Sequence, residues 1–217
     1  MGKLSRRALK NAYVYTMGLV LVEFTLTLIR GAKTELERDD LFLGRLNHPA
    51  SRYCVEMLSS KTMRGEYPAA QVVFSSPLAR SLESAHAIYP KAQIIELEQL
   101  TDFDYGVFAG KSYEEIVADK QFGIWTSSNV LTTIPGGESP YGFLNRCSRA
   151  LWEIANYAKK NGLEKVSVVT HRLVIAAMLR QGDMPGCLYC DYRTSYGSAI
   201  VTTHKEGRGG LYVLKKL

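Results

Sequence analysis

Four side chains that could do chemistry lie where a predicted strand or loop meets the edge of a sheet: Arg30, Arg80, Asp102 and His171. Arg30 ends one apolar run, and His171 ends a second run much later in the chain. Parallel strands end at one edge of a sheet, where open α/β folds bind ligands, so we expect these two side chains to lie together. Two guanidinium groups and an imidazole suit a phosphoryl group, and a nearby carboxyl group could protonate a leaving oxygen.

Three of these residues also have an ordinary explanation. Arg80, on the first turn of a predicted helix, could be a solvated charge, and Asp102 could be a turn residue. A single histidine after a buried strand, such as His171, is more often a core residue. The chemical interpretation therefore depends on the joint order of the four positions along the chain.

Alternating strands and helices are predicted around these positions, from apolar runs and from helical spacing bounded by breakers. The strands are predicted at 22–29, 71–74, 94–97, 166–170, 198–203 and 211–214, and the helices at 49–64, 78–89, 113–118, 141–160 and 171–180. The alternation predicts an α/β fold, a three-layer sandwich with a mainly parallel sheet and helices on both faces.

The composition is that of an ordinary globular chain. Its 217 residues are 46% hydrophobic, and 27 Lys and Arg against 21 Asp and Glu give a net charge of +6. This charge favours anionic ligands. No basic motif with interleaved aromatics is present, so nucleic acid is not an expected partner. No apolar stretch is long enough to span a membrane, so a membrane is not expected either.

The cysteines and the first residues bear on location and domain organisation. A chain of this size does not depend on disulfides, so we interpret its four cysteines as reduced thiols of a cytoplasmic protein. Cys187 and Cys190 form a lone C-x-x-C without two further ligands nearby, so no metal site is expected. The apolar run Tyr13–Leu21 loosely resembles a signal peptide, but Glu23 interrupts it and no small-residue cleavage site is evident. Residues 1–20 are therefore predicted to be an N-terminal extension, either an added helix or a disordered leader. Residues 21–217 are predicted to form a single domain.

Five segments of the chain resemble motifs of the histidine phosphatase superfamily, the phosphoglycerate mutase-like proteins. Leu28–Glu35 (LIRGAKTE) is similar to L-x-R-H-G-x-T-E, and Ser75–Ser81 (SSPLARS) is similar to S-S-P-L-x-R-A. Leu100–Gly110 is similar to L-x-E-x-x-x-G-x-x-E-G, Pro135–Ser139 matches P-G-G-E-S, and Val168–His171 is similar to V-V-[ST]-H. Because all five occur in the family's order, the chain is identified as a member of this superfamily.

The resemblance implies a phosphate site that lacks one part. In the family, the histidine of R-H-G accepts the phosphoryl group covalently, both arginines and the second histidine hold its oxygens, and the carboxylate of the middle loop is the general acid. Arg30, Arg80 and His171 are therefore expected to bind phosphate, and Asp102 and His171 are the expected catalytic residues. The nucleophile position falls on Gly31, which has no side chain to phosphorylate, whether the histidine was substituted or deleted.

Further departures from the family pattern agree with a loss of catalysis. Glu37 stands about where many members carry a phosphate-binding Asn, Ala109 replaces the second Glu of the middle loop, and Arg172 replaces a Gly. A substitute nucleophile is conceivable in His48, which is in a loop expected to border the pocket, or in Lys33. A nucleophilic lysine, however, needs a depressed pKa that a sequence does not show.

We therefore expect a phosphate- or phosphomonoester-binding protein with little or no phosphatase activity. Two alternatives stay open: an active phosphatase that uses a substitute nucleophile or water, and an interaction or regulatory protein with a vestigial pocket. A substrate loop is expected to include Glu138, Ser139 and Lys33, and no cofactor is expected. The expected partner is a phosphorylated small molecule or inorganic phosphate, and the oligomeric state is left open, with a homodimer as one option.

Overall fold

The computed structural model describes residues 23–36, 41–128, 132–180, 194–204 and 210–217. The predicted extension over residues 1–20, Glu37 and the pair Cys187 and Cys190 lie outside these ranges, so the division into an extension and one domain stays a prediction. Within the described ranges, no helix is both long enough and apolar enough to cross a membrane.

A six-stranded mixed sheet forms the centre of the fold. Its strands are β1 Phe24–Arg30, β2 Val72–Ser75, β3 Gln93–Glu96, β4 Lys165–Thr170, β5 Ala199–His204 and β6 Leu211–Lys216. Their order across the sheet is β3-β2-β4-β1-β5-β6. The β2–β3, β2–β4 and β1–β4 pairs are parallel, and the β1–β5 and β5–β6 pairs are antiparallel. The predicted mainly parallel sheet is confirmed, with antiparallel strands at one side.

The helices follow the strands in alternation. They are α1 Arg52–Met63, α2 Ala79–Ile88, α3 Tyr113–Ile116, α4 Lys120–Ser127, α5 Pro140–Lys160 and α6 Arg172–Leu179. The sequence analysis did not predict α4, because Gly123 and several aromatic and β-branched residues give this segment a weak helical propensity. Asp119 caps the helix by accepting a hydrogen bond from the Gln121 N–H at 2.7 Å, and Phe122 packs edge-on against Phe108. Capping and packing therefore override the weak propensity.

Two hydrophobic clusters lie on opposite faces of the sheet, because successive side chains of a strand point to opposite faces. In β1, Leu28 belongs to the cluster that contains Ile154 of α5. Its neighbour Ile29 belongs to the cluster that contains Leu58 of α1 and Ile88 of α2. The three-layer arrangement predicted from the sequence is thereby confirmed.

The carboxyl ends of three parallel strands meet at one edge of the sheet. Arg30, the last residue of β1, is paired in register with Thr170, the last residue of β4. The Gly31 N–H donates to the Thr170 carbonyl oxygen at 2.9 Å, and the Ser76 N–H, just after β2, donates to the Val169 carbonyl oxygen at 3.1 Å. The segments that follow these strands therefore begin side by side.

Candidate functional site

A cavity of about 600 Å³ lies at this carboxyl edge. Its wall includes all four residues that the sequence analysis selected for their chemistry, Arg30, Arg80, Asp102 and His171, and also Gly31. The volume is within the roughly 300–1,000 Å³ that is usual for small-molecule sites. Among the described residues, no three His, Cys, Asp or Glu side chains are grouped as ligands of a metal ion.

Arg80 is a buried cation held by main-chain carbonyl groups. Only 4% of the residue is exposed, so it is not a solvated surface charge. Its Nη1 donates to the Leu46 carbonyl oxygen at 2.8 Å, and its Nη2 donates to the Gly44 carbonyl oxygen at 2.6 Å. Nη2 also lies 3.6 Å from Asp102 Oδ2. Since a guanidinium has five N–H donors, these two carbonyls fix its position and leave donors for a ligand.

Arg30 is half-buried at the end of β1. Its Nη1 donates to the Thr194 carbonyl oxygen at 2.6 Å, and its guanidinium stacks over the Tyr196 ring at 3.6 Å from the centroid. Thr194 and Tyr196 precede β5 and also lie in the cavity wall. The sequence analysis missed both residues, since the polar stretch that contains them carries no motif.

His171 is buried as the N-cap residue of α6. Its Nε2 lies 2.9 Å from Ser76 Oγ and 3.4 Å from Ser81 Oγ, and its Nδ1 lies 3.8 Å from Asp102 Oδ2. Burial lowers the pKa of His171 well below its ordinary value of 6.5, and the charges of three arginines lower it further. The imidazole is therefore neutral at neutral pH and acts as a hydrogen-bonding group.

The Asp102 carboxylate lies close to both the Arg80 guanidinium and the His171 imidazole. Its Oδ1 accepts a hydrogen bond from the Phe103 N–H at 2.9 Å. Its Oδ2 is the atom that faces both Arg80, at 3.6 Å, and the His171 ring, at 3.8 Å. Asp102 is partly exposed in the cavity wall, so a bound molecule can reach it.

A half-buried ion pair positions the loop that carries Asp102. Arg146 of α5 donates to three main-chain carbonyl oxygens of residues 99–102, at 2.7–3.2 Å. Its Nη2 also donates to Glu138 Oε1 at 2.7 Å, and the same carboxylate oxygen accepts from the Asp104 N–H at 3.0 Å. The sequence analysis missed Arg146, although a charged residue at helical spacing from buried Phe143 was an available signal.

The structure does not bring the predicted substrate-loop residues into the cavity wall. Glu138 holds the Asp102 loop, and Ser139 caps α5 by accepting from the Gly142 N–H at 3.0 Å. Lys33 is half-buried and absent from the wall, as is His48. The two suggested substitute nucleophiles, Lys33 and His48, are thus both outside the wall.

Gly31 occupies its place in the wall without needing glycine's special backbone freedom. Its φ is not in the left-handed region, and a Cβ built on it would lie 3.3 Å from Ser84 Oγ and 3.6 Å from the Arg80 carbonyl oxygen. Ser84 Oγ accepts from the Ala32 N–H at 2.8 Å. A Cβ at position 31 would therefore require the Ser84 hydroxyl to move by only a small distance.

These observations define an α/β protein whose candidate site groups cationic side chains, a neutral imidazole and a carboxylate at the carboxyl edge of its sheet. The chain belongs to the histidine phosphatase superfamily (branch 1), whose family model matches residues 26–213. No curated protein sequence matches the chain.

Solved structures of other proteins have a similar fold. A putative alpha-ribazole-5'-P phosphatase from Escherichia coli is 19% identical, with a TM-score of 0.76 over 88% of this chain and 96% of its own. A phosphoglycerate mutase from Bacillus anthracis is 18% identical, with a TM-score of 0.74 over 89% and 93%. A mycobacterial glucosyl-3-phosphoglycerate phosphatase is 17% identical, with a TM-score of 0.73 over 88% and 98%. At these identities the similarity establishes the fold alone.

Proposed function

We propose that the protein binds inorganic phosphate or a phosphomonoester in the cavity at the carboxyl edge and transfers little or no phosphoryl group. The observation that carries this proposal is the placement of buried Arg80 beside His171 and Asp102, with Gly31 in the same wall. A cation held by two carbonyls in a buried site is ready to meet an anion without rearrangement.

Arg30, Arg80 and His171 are the proposed ligands of the phosphate oxygens. Guanidinium groups offer paired N–H donors that match phosphate geometry, and they remain charged. Neutral His171 adds a donor whose charge state responds to the ligand, because a nearby anion favours the imidazolium form. The similar solved structures, of two phosphatases and a phosphoglycerate mutase, agree with a phosphorylated small molecule as the ligand class.

The absence of a nucleophile at position 31 is the reason to expect little turnover. Glycine offers no group that can accept a phosphoryl group, and neither Lys33 nor His48 replaces it in the wall. In a well-studied hydrolase, loss of the nucleophile leaves only roughly 10³ to 10⁴-fold acceleration over water from the remaining groups.

Calorimetric titration with phosphate and vanadate tests the binding site. We expect binding by the wild type and a roughly 10- to 100-fold weaker affinity in Arg80→Met, since a hydrogen bond to a charged group contributes about 1.5–3 kcal/mol. Arg149→Gln is the control, because Arg149 is an exposed arginine of α5 outside the wall. Absence of anion binding by the wild type would contradict the proposal and favour a vestigial pocket in an interaction protein.

Placing a histidine at position 31 tests whether the missing nucleophile is the reason for the low phosphoryl transfer. Gly31→His, alone and with Ala32→Gly, is expected to become labelled by a radioactive phosphoryl donor, while the wild type and Gly31→Ala stay unlabelled. Labelling of the wild type, or its turnover of an aryl phosphate at the rate of an ordinary phosphatase, would show that catalysis survives without this histidine.

One observation favours residual hydrolysis as a second candidate function. Ser81 Oγ lies 3.4 Å from His171 Nε2, and Asp102 lies on the other side of the ring. This arrangement could support slow attack on phosphorus by water or by the hydroxyl group, with Asp102 as the acid. A residual rate that Asp102→Asn abolishes would support this function, and Ser81→Ala would separate hydroxyl attack from water attack.

A further inference from the structure

We propose that the bound molecule carries a second anionic group, a carboxylate or a second phosphate, and that Arg172 recognises this group at the exposed part of the cavity wall. The inference rests on the proposed function, since it assumes that the first phosphoryl group is held near Arg80 and His171. It narrows the ligand class from any phosphomonoester to a molecule with two separated anionic groups.

Arg172 differs from the two other arginines of the wall in how it is held. Arg80 is fixed by two carbonyls, and Arg30 by the Thr194 carbonyl and the Tyr196 ring. Arg172, the first residue of α6, is exposed, and it forms no hydrogen bond or ion pair with the described residues. No described residue therefore competes with a ligand for this guanidinium in the cavity that it lines.

No carboxylate of the wall neutralises Arg172. Asp102 is the one acidic residue among the described wall residues, and it lies against Arg80 and His171. The positive charge of Arg172 is thus uncompensated by the described part of the chain and adjoins the cavity next to His171. An arginine in this position suits a carboxylate or phosphate, to which its planar fork can donate two N–H groups.

The cavity has room for more than one phosphoryl group. Its volume of about 600 Å³ and its apolar wall residues Leu41 and Leu43 fit a ligand with a carbon skeleton. Such a skeleton would separate the first anion, near Arg80 and His171, from the second anion, at Arg172. A site for free phosphate alone would need neither this volume nor this third cation.

Three probes of matched chain length test the inference by calorimetry: propyl phosphate, 3-phosphonooxypropanoate and propane-1,3-diol bisphosphate. We expect the wild type to bind at least one of the two doubly anionic probes about tenfold more tightly than propyl phosphate. Arg172→Gln should remove this preference and leave the affinity for propyl phosphate within about twofold. Arg172→Lys should retain part of the preference, and Arg149→Gln should retain all of it.

The outcomes separate this inference from the proposed function. The probe that gains affinity identifies the second group as carboxylate or phosphate. If propyl phosphate binds and neither doubly anionic probe binds more tightly, the inference is overturned while the phosphate site stands. If Arg172→Gln weakens propyl phosphate as much as the other probes, Arg172 holds the first phosphoryl group and the inference is again overturned. If no probe binds, the proposed function fails as well.

Discussion

Several features of the site disfavour a positive charge on the imidazole of His171. Burial is the main cause of its lowered pKa, and Arg80, Arg146 and Arg30 add to the effect. The nearest hydrogen-bond partner of Nε2 is the Ser76 hydroxyl, at 2.9 Å. The folded protein therefore keeps His171 neutral under conditions in which an exposed histidine takes up a proton.

This difference predicts a loss of stability in mildly acidic solution. The unfolded chain protonates His171 near pH 6.5, whereas the folded chain does so only at lower pH, so the unfolded state binds more protons below pH 6.5. The stabilisation is fully present above pH 6.5, and it falls by up to about 1.4 kcal/mol per pH unit below that value. Urea unfolding of the wild type and His171→Gln at pH 7.5, 6.5 and 5.5 measures it. We expect the variant's free energy of unfolding to fall less steeply, and parallel curves would contradict the assignment.

The residues of the site were predictable to different degrees. Arg30, Arg80, Asp102 and His171 were selected together because a strand or loop position fixes where the chain meets the sheet edge. The predictions for Glu138 and its neighbours were weaker, because a motif gives the order of residues but not the direction of their side chains. Glu138 contacts Arg146, which lies 8 residues further along the chain, and neither residue type by itself indicates this contact.

At the scale of elements, the loop that follows Asp102 and the loop that contains Pro135 are in close contact. Gly106 has a φ of +50°, and a Cβ on it would lie 2.2 Å from the Pro135 carbonyl oxygen and 2.3 Å from the Gly137 nitrogen. The Val107 N–H donates to the same Pro135 oxygen at 3.0 Å. The segment after Asp102 therefore depends on a glycine both for its backbone angle and for close approach.

Gly106→Ala is predicted to destabilise the protein more than Gly162→Ala does. Both glycines have a positive φ, but nothing lies within 4 Å of a Cβ at Gly162. Because both sites carry the same cost of a positive φ, the difference between the two variants in free energy of unfolding measures the steric clash at Gly106. We expect this difference to be about 1–3 kcal/mol. Equal losses in free energy of unfolding by urea titration would show that the loops separate easily.

The contact between α5 and the Asp102 loop gives a second prediction at this scale. Arg146→Met removes the donors of three carbonyl groups and leaves Glu138 without its closest cation. Because the pair is half-buried, we expect a loss of about 1.5–3 kcal/mol, the contribution of a hydrogen bond to a charged group, which is less than the roughly 3–5 kcal/mol found for breaking fully buried pairs. A double-mutant cycle with Glu138→Gln should show the double variant losing less than the sum of the single variants. Additive losses would mean that the pair is not coupled.

For the whole molecule, the sequence predicts the layers better than it predicts their arrangement. The alternation of strands with helices along the chain was sufficient to predict a sheet covered on both faces, and the observed strand ends lie within two residues of the predicted ones. The order of strands was not predicted, because pairing between β1 and β4 joins residues far apart in the chain. Helix α4 was missed because its stability comes from packing rather than from local propensity.

The fold and the site together predict that phosphate stabilises the protein most in mild acid. A ligand that binds only the folded state adds about 2.7 kcal/mol at 100 times its Kd. Phosphate is mainly a monoanion in mild acid, and the bound monoanion should raise the pKa of His171, since an opposite charge favours the imidazolium form. The loss of stability below pH 6.5 should therefore be smaller in phosphate than in chloride of equal ionic strength.

Urea unfolding in the two salts at pH 7.5 and 5.5 measures both effects. Arg80→Met should lose the stabilisation by phosphate, and Arg149→Gln, altered on an exposed arginine outside the cavity wall, should keep it. Arg80→Met in the same two salts also controls for the general stabilisation by excluded anions, which does not depend on this arginine. If phosphate stabilises the wild type and Arg80→Met equally at both pH values, its effect is that of a solvent salt. Only a phosphate effect that requires Arg80 and grows as the pH falls would link the charge of His171 to an anion bound in the cavity.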